Sequence, residues 1–179
     1  MRNIFLIACV FLLFSCEGKN EKNKISEKKT SINKIEKDNI FSVDLNVKIL
    51  EDDRLQLFFI EDDPESGFSA DKRMYIDIKG KDEFQVVSFK LPSGVLPYRF
   101  RVDLGENKIE SDIQIKSIVI KFNQGVMDID SATFPRLFSS NIYLNTTDYK
   151  TFSRKIIDTQ YDPYIVSTPL LDKKIEIDL

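Results

Sequence analysis

The chain has 179 residues, 26 basic against 29 acidic, for a formal net charge of −3, and 42% of its residues are hydrophobic. That is enough for one domain with a sizeable core, and it implies no basic face for nucleic acid. There is no histidine and there are only two cysteines, which excludes Ser-His-Asp and Cys-His catalysis and histidine-based metal sites.

The N-terminus stands apart. Arg2 precedes an apolar run of eleven residues from Ile4 to Phe14. About 20 residues are needed to cross a bilayer as a helix, so this run fits the apolar region of a secretion signal instead. Leu13-Phe14-Ser15-Cys16 follows directly. It resembles the lipobox of bacterial lipoproteins, although Phe at its second position is unusual. The resemblance implies removal of residues 1–15 and acylation of Cys16, which becomes the first residue of the mature chain and is held in the bilayer by its acyl chains. Cys9 leaves with the signal, so Cys16 has no disulfide partner. Glu17 to Asn39 is rich in Lys, Asn, Glu and Ser. It reads as a disordered tether with a reach of roughly 25–30 Å, with a short helix over 26–37 as the alternative.

From Ile40 onward the pattern is β. Val43, Leu45, Val47 and Ile49 alternate with Asp44, Asn46 and Lys48, which predicts a half-buried strand. Leu55, Leu57 and Phe59 lie on one face of the next run, with Phe58 and Ile60 on the other, so that strand is predicted to be interior. Met74, Ile76 and Ile78 alternate with Tyr75, Asp77 and Lys79, and Phe84 to Leu91 is a further run stopped by Pro92-Ser93-Gly94. Leu96 to Phe122 reads as two strands joined by a polar turn at Gly105, Glu106 and Asn107. In the first, Tyr98, Phe100, Val102 and Leu104 oppose Arg99, Arg101 and Asp103. In the second, apolar parity shifts between Ile115 and Ile118, so either a β-bulge sits near Lys116 and Ser117 or the strand's end is buried on both faces.

Beyond Gly125 the sequence suggests a short strand over 126–129, a loop over 131–140, another strand or the start of a lobe packed on the sandwich over 141–145, and a helix over 146–157. The alternation of Ile175, Ile177 and Leu179 suggests a final strand closing an edge. The sum is an all-β, jelly-roll-like β-sandwich over residues 40–125, with a smaller C-terminal extension, residues 126–179, packed on it.

The block from Leu55 to Phe122 resembles the jelly-roll sandwiches akin to carbohydrate-binding modules that accompany envelope and glycan-handling proteins in Bacteroidota. Arg101, Val102, Asp103, Leu104 and Gly105, then Ser117, Ile118, Val119 and Ile120, carry the likeness over roughly 70 residues. It implies a fold more than a function. The composition also resembles that of lipoproteins of the same phylum, although Glu17-Gly18-Lys19 departs from their acidic export signal.

Four candidate sites follow. Tyr75, Asp77, Arg99, Arg101 and Asp103 sit on polar strand faces and could line a sheet that binds a glycan; the same residues also suit a solvated face of cross-strand ion pairs. Asp62, Asp63 and Glu65 could supply oxygens to a structural Ca²⁺, or form an ordinary solvated loop. Asp130-Ser131-Ala132 resembles an O-glycosylation pattern, with Ser131 as acceptor. Cys16 is the lipidation site. The expectation is a non-enzymatic, membrane-anchored binding module for a glycan or envelope polysaccharide, in the cell envelope on either side of the outer membrane. The alternative is an assembly subunit that docks another envelope protein. No cofactor is expected beyond that Ca²⁺.

Overall fold

A computed structural model describes residues 39–179 apart from Asp62, Pro64 and Ile109. The lipobox, Cys16 and the stretch up to Asp38 lie outside the described residues. In chain order the elements are β1 (Ser42–Ile49), β2 (Asp53–Ile60), β3 (Arg73–Ile78), β4 (Lys81–Lys90), β5 (Arg99–Asp103), β6 (Asp112–Phe122) and β7 (Gly125–Ile129). There follow α1 (Phe134–Leu137), β8 (Phe138–Ser140), β9 (Leu144–Asn145), β10 (Thr151–Arg154), β11 (Tyr164–Ser167) and α2 (Pro169–Asp178).

These strands form two antiparallel sheets facing each other as a sandwich. One runs β4-β1-β6-β10-β9, with β7 paired to β6, and the other runs β3-β2-β5-β11-β8. Most connections pass from one sheet to the other, as they do in a jelly roll. The alternation in β1 does what it predicts: Val43, Leu45, Val47 and Ile49 are fully buried while Asp44, Asn46 and Lys48 point out. Opposite them, β2 buries Leu55, Leu57 and Phe59. Phe41 and Phe100 meet edge to face, as do Phe100 and Phe138, while Phe134 stacks on Phe138 and lies tilted against Phe152, with ring centroids 5.2–6.0 Å apart.

The parity shift in β6 is a bulge. Asn46 pairs with Ser117 and Val47 with Ile115, so Lys116 has no opposite number. Ile113, Ile115, Ile118 and Ile120 can therefore all face the core. The strands β5 and β6 exist as read, but they do not pair with each other. β5 lies between β2 and β11, and β6 between β1 and β10 on the opposite sheet. Both have an apolar face, and the connection between them crosses the sandwich so that these faces meet.

A buried polar node holds that crossing. Asp53 Oδ1 accepts the backbone N–H groups of Glu106 and Asn107 at 2.8 Å each, and Arg154 Nη1 donates to Asp53 Oδ2 at 2.5 Å and to Leu104 O at 2.9 Å. The Arg154 and Asp53 side chains are 0% and 1% exposed. Gly105 has φ +123°, and a β-carbon there would collide with both charged groups. Only glycine lets the backbone pass so close.

After Gly125 the structure departs from the sequence reading. Residues 126–179 do more than pack on the sandwich, since they supply β8 and β11 to one sheet and β7, β9 and β10 to the other. The expected loop over 131–140 contains α1 and β8, and the strand expected over 141–145 shrinks to Leu144–Asn145. The helix expected over 146–157 is instead a turn followed by β10. Asp148 Oδ1 accepts the N–H groups of Lys150 and Thr151, and Tyr149 takes φ +53°, which stops a helix before it starts. The expected final strand is the helix α2. Thr168 caps it, accepting from Leu171 N, and Pro169 occupies the first turn. Leu171 and Ile175, four apart, are buried, whereas Ile177 is 68% exposed. This helical spacing prevails over the short alternation.

Candidate functional site: the outer face of the five-stranded sheet

Because β2 turns Leu55, Leu57 and Phe59 inward, it turns Arg54, Gln56 and Phe58 outward. Register then assembles rows across the sheet. Tyr75, Gln56, Asp103 and Tyr164 stand opposite one another on β3, β2, β5 and β11, and Arg73, Phe58, Arg101 and Val166 form the adjacent row. Asp77 faces Arg54 at the far end of β3. Tyr75, Asp77, Arg101 and Asp103, singled out on sequence, thus share one outer face.

Two clusters occupy it. At the β3 edge, Arg54 Nε donates to Asp77 Oδ1 at 2.6 Å, and its guanidinium lies 4.5 Å from the centre of the Tyr75 ring. The Arg54 hydrogen bond holds the Asp77 carboxyl below its ordinary value. Tyr75 remains 58% exposed. One ring face is braced by Arg54, and the residue keeps a wide solvent-facing surface. Gln56 is hydrogen-bonded to Glu106 and accepts from Arg73 Nη1 at 3.2 Å.

At the centre, Arg101 lies between aromatic rings, 4.3 Å from the Tyr164 centroid, 4.7 Å from Phe58 and 5.7 Å from Phe68. Its Nη2 donates to Asp103 Oδ2 at 2.9 Å, while Nε stands 2.9 Å from Oδ1 without the alignment of a hydrogen bond. Burial pushes the Asp103 carboxyl up to about 6, with the Arg101 charge opposing that rise. Arg99 goes elsewhere: its Nε donates to Asp172 Oδ2 on α2 at 3.0 Å.

Of the acidic loop, Asp62 lies outside the described residues. Asp63 and Glu65 are exposed, and Asp63 Oδ1 accepts the Glu65 N–H within the loop's own turn. Among the described residues no three His, Cys, Asp or Glu side chains group as metal ligands do. Ser131 is half-buried in a turn in which Asp130 Oδ1 accepts from Ala132 N and Thr133 N.

Sequence reasoning missed Arg54, Gln56, Phe58, Arg73 and Tyr164. The alternation in β2 marked the parity of Arg54, Gln56 and Phe58, but only the register of β3, β5 and β11 shows that Arg73 and Tyr164 stand beside them. Comparison with protein-family models, curated proteins and solved structures finds no match for this chain.

Proposed function

We propose that this chain is a non-enzymatic binding module of the cell envelope, anchored through an acylated Cys16, that meets a glycan or envelope polysaccharide on the outer face of the five-stranded sheet. The observation that carries this reading is the Tyr75 platform. A solvent-facing aromatic ring is braced from one side by Arg54 and flanked by the exposed Asp77, so the two residues offer an aromatic surface for a sugar ring and a carboxylate for its hydroxyls. The Arg101 cage with Asp103 holds the middle of the same face. Replacing Tyr75 with Ala removes the platform without opening the core. It is expected to abolish retention of envelope polysaccharide while leaving the thermal midpoint unchanged, and retention that survives the substitution would remove this reading.

One observation favours an assembly subunit instead. Among the described residues the strand β4 ends its sheet with no neighbour beyond it, and it exposes Phe84 and Val86, at 44% and 66%. A stoichiometric co-purifying protein lost on Phe84→Ser would support that alternative.

A further inference from the structure

A half-open pocket of about 320 Å³ lies on the outer face of the other sheet, at the end where β1 begins and β4 and β6 finish. Register builds its floor, because Ser42 on β1 stands directly between Lys90 on β4 and Lys121 on β6. Side chains placed so are about 4.5–5.5 Å apart at their β-carbons, and two lysine stems therefore flank one serine. Asp44 is the one carboxylate in the lining. Lys121 Nζ donates to its Oδ2 at 2.7 Å and Ser88 Oγ to its Oδ1 at 2.5 Å. Burial pushes that carboxyl up, but these bonds outweigh it and hold the group below its ordinary value, so Asp44 is ionised and Lys121 is its counter-ion.

That leaves Lys90. Among the described residues it forms no ion pair, and it acts on Asp44 only from a distance. Ser42 is 8% exposed, yet among the same residues its hydroxyl enters no hydrogen bond. Asn123 stands at the mouth with φ +54°, and its buried Oδ1 has no partner either. Buried polar groups are normally hydrogen-bonded, so an uncommitted hydroxyl and amide beside an unpaired ammonium call for an occupant.

Two ammonium groups against one carboxylate give the pocket one positive charge in excess, which suits an anion. A bare phosphate would leave the apolar wall of Ile40 and Phe122 uncovered, and the volume is at the lower end of the roughly 300–1,000 Å³ of small-molecule sites. A ring that carries one carboxylate and several hydroxyls uses every group present. We infer that this pocket takes a carboxylated sugar, its carboxylate on Lys90 and Ser42, its hydroxyls on Asp44 and the Asn123 amide, and its C–H face on Ile40 and Phe122. The site is on the opposite sheet from Tyr75 and stands whether or not a glycan binds there.

The test is a chemical-shift titration of the ¹⁵N-labelled full chain with methyl glucuronide, with methyl glucoside as the uncharged counterpart and inorganic phosphate as the bare anion. Shifts at Ser42, Lys90 and Asn123 are expected with a dissociation constant of about millimolar for so small a probe. The glucoside and phosphate should each move them much less. Lys90→Gln should weaken glucuronide binding about tenfold, as loss of a charged hydrogen-bond partner does, and Ser42→Ala about threefold. Raising the salt should weaken it as well, since Lys90 is exposed. No shift at about 50 mM glucuronide would mean that the pocket holds water only and would overturn the inference. So would equal shifts with the glucoside or with phosphate, or affinity unchanged in both variants. Shifts confined to Tyr75, Asp77 and Asp103 would also overturn it, while leaving the glycan face of the five-stranded sheet intact.

Discussion

Asp53 and Arg154 lie 101 residues apart and meet in the interior with almost no exposure. A buried ion pair owes its tolerance to complete hydrogen bonding, and here Asp53 also accepts three backbone N–H groups, from Arg54, Glu106 and Asn107. Removing the cation leaves a buried carboxylate with dipoles alone to face. Arg154→Ala is therefore expected to lower unfolding stability by about 3–5 kcal/mol in urea denaturation. Lys79→Ala, which breaks the exposed pair with Asp52, should leave the midpoint where it is. Nothing in the sequence announced the buried pair. Asp53 follows Glu51 and Asp52, and Arg154 precedes Lys155, so each looked like one more surface charge. Gly105 was legible as a turn residue, but its closeness to the pair depends on a contact made 49 residues later.

At the scale of elements, the sequence was clearest where alternation ran for four or more residues. β1 and the inward face of β2 follow it directly, and the parity shift in β6 pointed to Lys116 and Ser117, where the first of its two readings, a bulge, is what the register shows. Legibility failed where short signals compete. Ile175, Ile177 and Leu179 alternate, yet Thr168 and Pro169 start a helix that buries Leu171 and Ile175. That cap also ties α2 to α1, since the Thr168 hydroxyl donates to Arg136 O at 2.9 Å. Thr168→Ala should cost about 0.5–2 kcal/mol, read as a lowered urea midpoint. A Thr168→Ser variant, which keeps the hydroxyl, should recover most of it. The pairing of β5 with β2 and β11 was equally hidden, because a polar connection of this length serves a hairpin or a crossing between layers, and only the burial of both strands' apolar faces decides.

For the whole molecule, Asp103 links stability to pH. Its carboxyl rises from 3.8 to about 6 on folding through burial. Between those values the folded state holds a proton that the unfolded state has released. The stabilisation is fully present below about pH 4 and is lost as pH climbs through about 6. The span corresponds to something on the order of 2–3 kcal/mol. Carboxyls held low, such as Asp44, change stability in the opposite sense, so the wild-type curve alone does not isolate Asp103. In urea denaturation at pH 4.5 and pH 7.5, the Asp103→Asn variant should lose less stability across the interval than the wild type does. An equal or greater loss would place the proton elsewhere.

The sandwich brings Tyr75, Asp77, Arg101 and Asp103 onto one outer face, and the central claim is that this face binds a glycan. The most direct measurement is capture from detergent-solubilised envelope by the full chain, with bound polysaccharide and bound protein quantified separately for the wild type, Tyr75→Ala and Phe84→Ser. The account predicts polysaccharide on the wild type and on Phe84→Ser, and its loss from Tyr75→Ala. Polysaccharide absent from the wild type, or retained equally by Tyr75→Ala, would contradict it.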